Sequence, residues 1–350
     1  MIKSQNKKKV VVGISGGVDS AVCLKLLLEQ GFKVVAVFIK MARYTGSMSS
    51  DLISAQKVAK SLKVDFHVLD AEGLFCDRVV SYYNKQLKVG KTPTPCVFCN
   101  PKVKFAALLK YADQIGAYYV STGHYARIEK MGDLFLLKKA KDRSKDQTYA
   151  LCFLSQKQLS RLIFPLGKFT KDDIYKISRK IKGLEHLLSR KQSQDFCYLG
   201  GLDQARYCSK IFPSSKGEII DKTGNIAGYH NGIYQFTVGQ RKGIGLPQGP
   251  YYVVSKDAKN NQIMISNDEK DLFKRKIKLY PYNIIGPALT DDMTVLAKLR
   301  SAQKLNRAKI ELGQDSLILN FEKPQRAVTP GQVAVFYKGE ICLGGGVINS

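Results

Sequence analysis

The side chains best suited to chemistry gather at the octet Gly13-Ile14-Ser15-Gly16-Gly17-Val18-Asp19-Ser20, at Cys96-Val97-Phe98-Cys99, and at Cys197. Adjacent glycines let a backbone curl until several N–H groups converge on an anion. A helix starting directly after such a turn adds its dipole and its unpaired N–H groups. Ser15 and Ser20 can donate hydroxyl hydrogen bonds to phosphate oxygens. Asp19 would be repelled by bare phosphate, so its presence implies a Mg2+ bridge or a role at the helix N-terminus. The Gly-Lys-Ser/Thr ending of a Walker A loop is missing. Cys96 and Cys99 follow the stretch Thr92-Pro93-Thr94-Pro95 and precede a helix expected from about Lys102. That helix dipole, with Lys91, Lys102 and Lys104, favours a thiolate. The competing reading is half of a structural zinc site, although no second C-x-x-C or His pair follows at zinc-finger spacing. Cys197 closes the run Gln192-Ser193-Gln194-Asp195-Phe196 and on its own reads as a buried thiol.

These points need a scaffold, and the first 125 residues supply an alternation of two periods. Val10–Ile14, Phe32–Ile39, Val64–Leu69 and Tyr118–Ser121 are short apolar runs that suit buried parallel strands. Asp19–Gln30 has an apolar helical face (Ala21, Val22, Leu24, Leu27, Leu28) and Gly31 as its stop. Asp51–Leu62 is expected to be helical with Ile53, Val58 and Leu62 inward, and Lys102–Ile115 helical with Gly116 as its stop. Strands alternating with crossover helices predict an α/β fold with a doubly wound parallel sheet. From about Lys138 to Leu199 the pattern is helical and irregular, with one clear helix at Lys171–Ile181. After about Gly200 turn residues multiply. Short strands are expected at Tyr251–Ser255, Gln262–Ile265, Thr294–Leu299, Lys309–Leu312, Ser316–Phe321, Val333–Tyr337 and Glu340–Val347, as in a small sandwich or barrel. The expected layout is a catalytic domain over 1–205, a small mixed central domain over 206–271 and a C-terminal β-barrel over 272–350.

Fifty-six Lys and Arg face 29 Asp and Glu, a net charge of +27 over 350 residues. That excess argues for a polyanionic partner. No apolar run approaches the roughly 18 residues of a spanning helix, and the segment after the basic N-terminus is too short and Gly-rich for a signal peptide. A cytoplasmic protein with reduced thiols is expected. Cys23, Cys76, Cys152, Cys208 and Cys342 read as packing residues.

The octet resembles the loop of the ATP pyrophosphatases, which hold the pyrophosphate end of ATP. The resemblance implies attack at the α-phosphate and adenylation of a substrate oxygen. It sharpens when further segments are taken in order: Thr92–Asn100 with Lys104-Phe105, Thr122-Gly123-His124-Tyr125-Ala126-Arg127, Lys145-Asp146-Gln147, Ser193–Cys197, Phe236–Gly243 and Pro330-Gly331-Gln332. Together they resemble the tRNA-specific 2-thiouridylases over nearly the whole chain. In that family the C2 oxygen of a wobble uridine in tRNA is replaced by sulfur.

Carried over position by position, the resemblance implies that Cys99 is the nucleophile and that Cys197 carries a persulfide. It implies ATP contacts from Gly13, Ile14, Ser15, Gly16, Gly17, Val18, Asp19, Ser20, Ile39 and Gly123, with Mg2+, and a catalytic part for Asp19. Thr94, Pro95 and Cys96 fall where the target base is met. His124, Lys145, Asp146, Gln147, Arg300, Ser301 and Gln332 fall at positions that contact tRNA. Three positions depart from the family's usual pattern: Thr94-Pro95-Cys96 replaces Asn-Pro-Asp, Ile39 replaces Met, and Ser301 replaces Tyr. Cys96, Cys99 and Cys197 together could also ligate an iron–sulfur cluster with one iron open. A cysteine desulfurase or a small sulfur-relay protein is the implied sulfur donor. Sulfur can then reach C2 by direct persulfide attack, as hydrosulfide released by Cys99, or as hydrosulfide held on such a cluster. Other adenylating tRNA enzymes, and a zinc-stabilised RNA-binding protein, are the competing classes.

Overall fold

The computed structural model describes residues 6–41, 46–181, 183, 185–187, 204–247 and 249–349. Strands β1 (Asn6–Gly13), β2 (Lys33–Lys40), β3 (Asp65–Asp70) and β4 (Ala117–Thr122) alternate with helices. After them come a hairpin, β5 (Ala126–Met131) and β6 (Leu134–Lys139), and the short β7 (Leu162–Ile163). The first sheet runs β3-β2-β1-β4-β7, parallel throughout. Val10, Val11 and Val12 are all fully buried because both faces of this sheet are covered. Side chains alternate across it: Val10 and Val12 pack with Leu24 and Leu27 of helix α1 (Val18–Glu29), and Val11 packs with Phe105 and Leu108 on the other face.

The expected α/β domain is therefore present, with local corrections. Helix α2 (Gly46–Ser61) buries Ala55, Val58 and Ala59, whereas Ile53 stands half exposed on the outer side. The helix expected from Lys102 starts earlier. Its first turn is Cys96–Cys99, continued by a π-turn over Asn100–Lys104 and an α-helix over Phe105–Gln114. Pro95 already has helical φ and ψ at the N-cap. Pro101, lacking an N–H and crowding the carbonyl four residues back, accounts for the wider turn. Cys76 is exposed rather than packed, while Cys23, Cys152, Cys208 and Cys342 are buried. The hairpin β5–β6 lies in a stretch to which the sequence reading assigns no element.

The central domain pairs β8 (Gly217–Ile220), β9 (Ile226–His230), β10 (Tyr252–Asp257) and β11 (Gln262–Ser266) in the order β10-β11-β8-β9. Ile219, Ile233, Phe236, Val253, Ile263 and Ile265 form its core. The C-terminal strands are β12 (Phe273–Ile284), β13 (Thr294–Lys298), β14 (Asn306–Leu312), β15 (Leu317–Arg326), β16 (Val333–Lys338) and β17 (Ile341–Ile348). They run β12-β15-β14-β13-β16-β17, and β12 pairs back to β17, so the antiparallel barrel is closed. The sheet also extends outward, because β17 pairs with β6 at Ile341 and Lys138. Val333, Val335 and Tyr337 of β16 share one apolar cluster with Val97, Phe98 and Tyr149, so barrel and first domain are packed together. Among the described residues no helix is long and apolar enough to cross a membrane.

Candidate active site

The phosphate loop leaves the carboxyl end of β1, beside the carboxyl ends of β2 and β4, where open parallel sheets place ligands. Gly16 has φ +76°, and a Cβ there would strike the Asp51 carbonyl. Only glycine fits, and Ser54 of α2 fixes the turn by donating to the Gly16 carbonyl at 2.8 Å. Ser20 accepts from the Ser15 N–H at 3.2 Å and donates to the Gly17 carbonyl at 2.9 Å. Gly123 closes the site from β4: a Cβ on it would come within 2.9 Å of the Ser20 nitrogen and 3.0 Å of the Asp19 carbonyl carbon. Ile39, at the end of β2, packs against the clusters that hold Phe98 and Cys99. The fold thus gathers Gly13, Ile14, Ser15, Gly16, Gly17, Val18, Asp19, Ser20, Ile39 and Gly123 at one edge.

Asp19 is tied inside the protein. Its Oδ1 accepts from the Tyr125 hydroxyl and from Lys171 Nζ, both at 2.6 Å. The Lys171 side chain is 9% exposed and that of Asp19 is 32% exposed. Lys171 also stands 5.0 Å from the Tyr175 ring centre and 5.8 Å from that of Tyr125. Sequence reasoning missed Lys171 and Tyr125 as functional side chains. The one signal near Lys171 is the Thr170–Asp173 capping box, which fixes the start of its helix but not its pairing with Asp19.

Cys99 is buried in a cluster with Phe75, Val79, Tyr83, Cys208 and Tyr234, and Cys96 is partly exposed one helical turn earlier. Neighbouring Asn100 is 2% exposed, and its Nδ2 donates to the Ala150 carbonyl at 2.9 Å. Cys197 lies outside the described residues, as does the rest of Ser193–Cys197. Among the described residues no cluster of His, Cys, Asp and Glu could hold a metal. Cys96 and Cys99 lie within one helical turn.

The stretch before Cys96 is clasped by the barrel. Thr94 donates to Gln332 Oε1 at 3.1 Å, Gln332 Nε2 donates to the Thr92 carbonyl at 3.0 Å, and the Thr92 N–H donates to the Pro330 carbonyl at 2.8 Å. Two side chains expected to meet RNA are thereby joined across the whole chain. Arg300 donates to the Ala327 carbonyl at 3.1 Å and to Thr329 Oγ1 at 2.9 Å, and Ser301 is exposed beside it. Asp146 accepts from the Ala140 N–H at 2.9 Å and from the Thr148 hydroxyl at 2.6 Å. Gln147 Oε1 accepts from the Tyr125 N–H at 2.8 Å. These two side chains therefore shape the turn that presents Lys145. His124 Nδ1 is 2.6 Å from Thr122 Oγ1, and the ring lies among Phe105 and Phe164. Desolvation, helped by the Lys104 charge, pushes its pKa down to about 3, so the imidazole is neutral at pH 7.

Three family models match the chain in order. The tRNA methyl transferase HUP domain matches residues 8–201, the tRNA methyl transferase PRC-barrel domain 205–267, and the Aminomethyltransferase beta-barrel domain 274–348. A tRNA-specific 2-thiouridylase MnmA of Clostridium acetobutylicum is 38% identical over 355 residues, covering 97% of this chain and 99% of its own. The protein of that name in Clostridium kluyveri is 40% identical over 357 residues, covering 98% and 99%. A tRNA-specific 2-thiouridylase MnmA 1 of Caldanaerobacter subterraneus subsp. tengcongensis is 39% identical over 357 residues and covers 97% of each chain.

Proposed function

The chain belongs to the tRNA-specific 2-thiouridylase family, and on that premise we propose that it makes 2-thiouridine at the wobble position of tRNA, using ATP to activate the uridine and a protein persulfide as sulfur source. The observation that carries this reading is a juxtaposition. The glycine-turned phosphate loop follows β1, whose Gly13 pairs with Val37 of β2. Two residues further along β2, Ile39 packs against the clusters that hold Phe98 and Cys99, and the barrel residue Gln332 clasps the stretch leading into the Cys96–Cys99 turn. Methyl transfer, which two of the domain descriptions name, needs neither a polyphosphate loop nor a thiol pair.

A uracil C2 carbonyl is a poor electrophile because its oxygen leaves badly. In the proposed reaction O2 of uridine attacks the α-phosphorus of ATP. Pyrophosphate departs into the N–H groups of Gly13–Ser20, with Ile39 and Gly123 bounding the nucleotide. Mg2+, when bound, would neutralise phosphate charge, and Asp19 is the loop carboxylate that would hold it. The terminal sulfur of a Cys197 persulfide then attacks C2 and AMP leaves with the former O2. The Cys99 thiolate attacks the Cys197 sulfur that remains bonded to the transferred atom, which breaks that S–S bond and leaves a Cys99–Cys197 disulfide. In the other route Cys99 first releases hydrosulfide, which attacks C2. Thr94, Pro95 and Cys96 border the base. His124, Lys145, Asp146, Gln147, Arg300, Ser301 and Gln332 form or shape the RNA-facing rim. The sulfur donor is a cysteine desulfurase or a sulfur-relay protein. The division at residues 1–205, 206–271 and 272–350 belongs to this reading, as does a cytoplasmic location.

The test is mass spectrometry of nucleosides from unmodified tRNA incubated with the protein, ATP, Mg2+ and a sulfide source, beside Cys99→Ser and Cys197→Ser. 2-Thiouridine with the wild type and none with either variant is expected. AMP accumulation without 2-thiouridine would overturn the substrate assignment.

A further inference from the structure

Several basic side chains within residues 138–143 and 276–309 have carboxylate partners. Lys138 pairs with Glu129 at 2.7 Å, Lys141 with Asp173 at 3.7 Å, Lys276 with Glu311 at 3.1 Å, Arg307 with Glu322 at 3.2 Å and Lys309 with Asp292 at 3.9 Å. Arg143 pairs with Glu340. Among the described residues Lys139, Lys145, Lys274, Lys278, Lys298 and Lys304 have no such carboxylate contact. Of these, Lys139 and Lys298 stand at the seam between first domain and barrel, each over a buried tyrosine ring of the other domain.

Lys139 ends β6 and Lys298 ends β13. The Lys139 ammonium stands 4.5 Å from the centre of the buried Tyr337 ring and donates to the Gly339 carbonyl at 2.9 Å. The Lys298 ammonium stands 5.4 Å from the centre of the buried Tyr149 ring and donates to the Ser301 carbonyl at 3.0 Å. Both are partly desolvated, which pushes both pKa values down, and the Arg143 and Lys298 charges lower that of Lys139 further. Asp146 is the carboxylate that acts favourably on both, and its two oxygens already hold Ala140 and Thr148. The two rings lie close together, since the hydroxyl of Thr148, next to Tyr149, is 3.2 Å from the Tyr337 hydroxyl. Two ammonium groups over them with one shared, already engaged carboxylate leave a net positive site, for which an anion is the fitting occupant. The seam also leads to the catalytic stretch. Tyr149 donates to the Val333 carbonyl at 2.8 Å, and the preceding residue, Gln332, accepts from Thr94.

We propose that Lys139 and Lys298 form a two-lysine phosphate clamp in the seam between first domain and barrel, taking the RNA backbone beside the target uridine. The inference rests on the RNA substrate proposed above. Because one lysine comes from each domain, the clamp reads the docked arrangement of the two and gives the strand a fixed direction of approach. A lysine already paired on the barrel surface, such as Lys309, adds little to it.

The experiment measures binding of unmodified tRNA by fluorescence anisotropy from 50 to 400 mM salt for wild type, Lys139→Met, Lys298→Met, the double variant, the double Lys→Arg variant and Lys309→Met. Methionine keeps the apolar stem over each tyrosine, so packing changes little. The slope of log K against log salt should flatten by about 0.7–0.9 for each lysine removed, by about twice that in the double variant, and not at all in the arginine variant or Lys309→Met. In parallel, KM for tRNA should rise while kcat at saturating tRNA holds. An unchanged slope in the double Lys→Met variant, with wild type still making 2-thiouridine, would show the lysines to be caps on aromatic rings and would overturn the clamp alone. If wild type neither binds tRNA nor thiolates it, the function reading fails and the clamp falls with it.

Discussion

Replacing Lys171 by methionine removes the cation from beside Asp19 while keeping most of the stem that lies among Tyr125 and Tyr175. At 2.6 Å and an effective dielectric near 20 the gross attraction is about 6 kcal/mol, most of it offset by the desolvation of both ions. Deleting one partner of a buried pair costs about 3–5 kcal/mol. Asp19 keeps 32% exposure and its bond from Tyr125, so the low end, about 3 kcal/mol, applies here. In a domain of this size that corresponds to a fall in Tm of about 6–12 °C. The assay is a double-mutant cycle by thermal and urea unfolding over Lys171→Met, Asp19→Asn and the pair. A coupling energy of at least about 1 kcal/mol is expected, because asparagine still accepts from Tyr125 but no longer needs the cation. ATP KM should rise in Lys171→Met, since an unneutralised carboxylate would then face the polyphosphate. Additivity within about 0.5 kcal/mol would refute the reasoning, since the two residues would then act independently.

The hydrogen bonds from Arg127 and Arg143 hold the Glu340 carboxyl down to about 2. This depressed acid contributes stability that is complete above about pH 4.5 and lost as pH falls toward 2, so the Tm difference between wild type and Glu340→Gln should be constant at neutral pH and vanish near pH 2. His124 titrates near 3, below its unfolded value, so it weakens the fold as pH falls from about 6.5 toward 3. Its NMR resonances should not move between pH 5 and 8, and a shift centred near 6.5 would contradict the buried, neutral ring. Gly123→Ala puts a Cβ within 2.9 Å of the Ser20 nitrogen and should raise ATP KM at least tenfold with a small change in Tm, as read by AMP formation and thermal melting. Unaltered ATP kinetics in that variant would remove Gly123 from the nucleotide site.

Local rules reached the first domain because its signals are local. Val10-Val11-Val12 is apolar on every residue, as a strand covered on both faces must be. Gly31 and Gly116 stop their helices at φ +80° and +68°, which sequence alone implies. The helix that carries Cys99 starts ahead of the expected Lys102, because the chain absorbs Pro101 in a π-turn instead of breaking there. The twelve-residue strand β12 is hidden because Phe273-Lys274-Arg275-Lys276 reads as a charged patch, and its inward residues Ile277 and Leu279 gain meaning only beside β15 and β17. The thiols and the phosphate loop were legible as residue types. The Lys171–Asp19 pair and the Thr94–Gln332 bridge were not, because partners 152 and 238 residues apart are set by tertiary packing.

The pairing of β6 with β17 makes one continuous sheet out of the barrel and a hairpin that belongs to the first domain. Excising the barrel would bare the edge of β6 as a ready template for another chain and strip the cover from Val97, Phe98 and Tyr149. The two modules are therefore poor candidates for independent expression or exchange between relatives. A shuffled barrel would have to bring a matching edge strand as well as a matching face, and inheritance of the two as a single block is the physically cheap course.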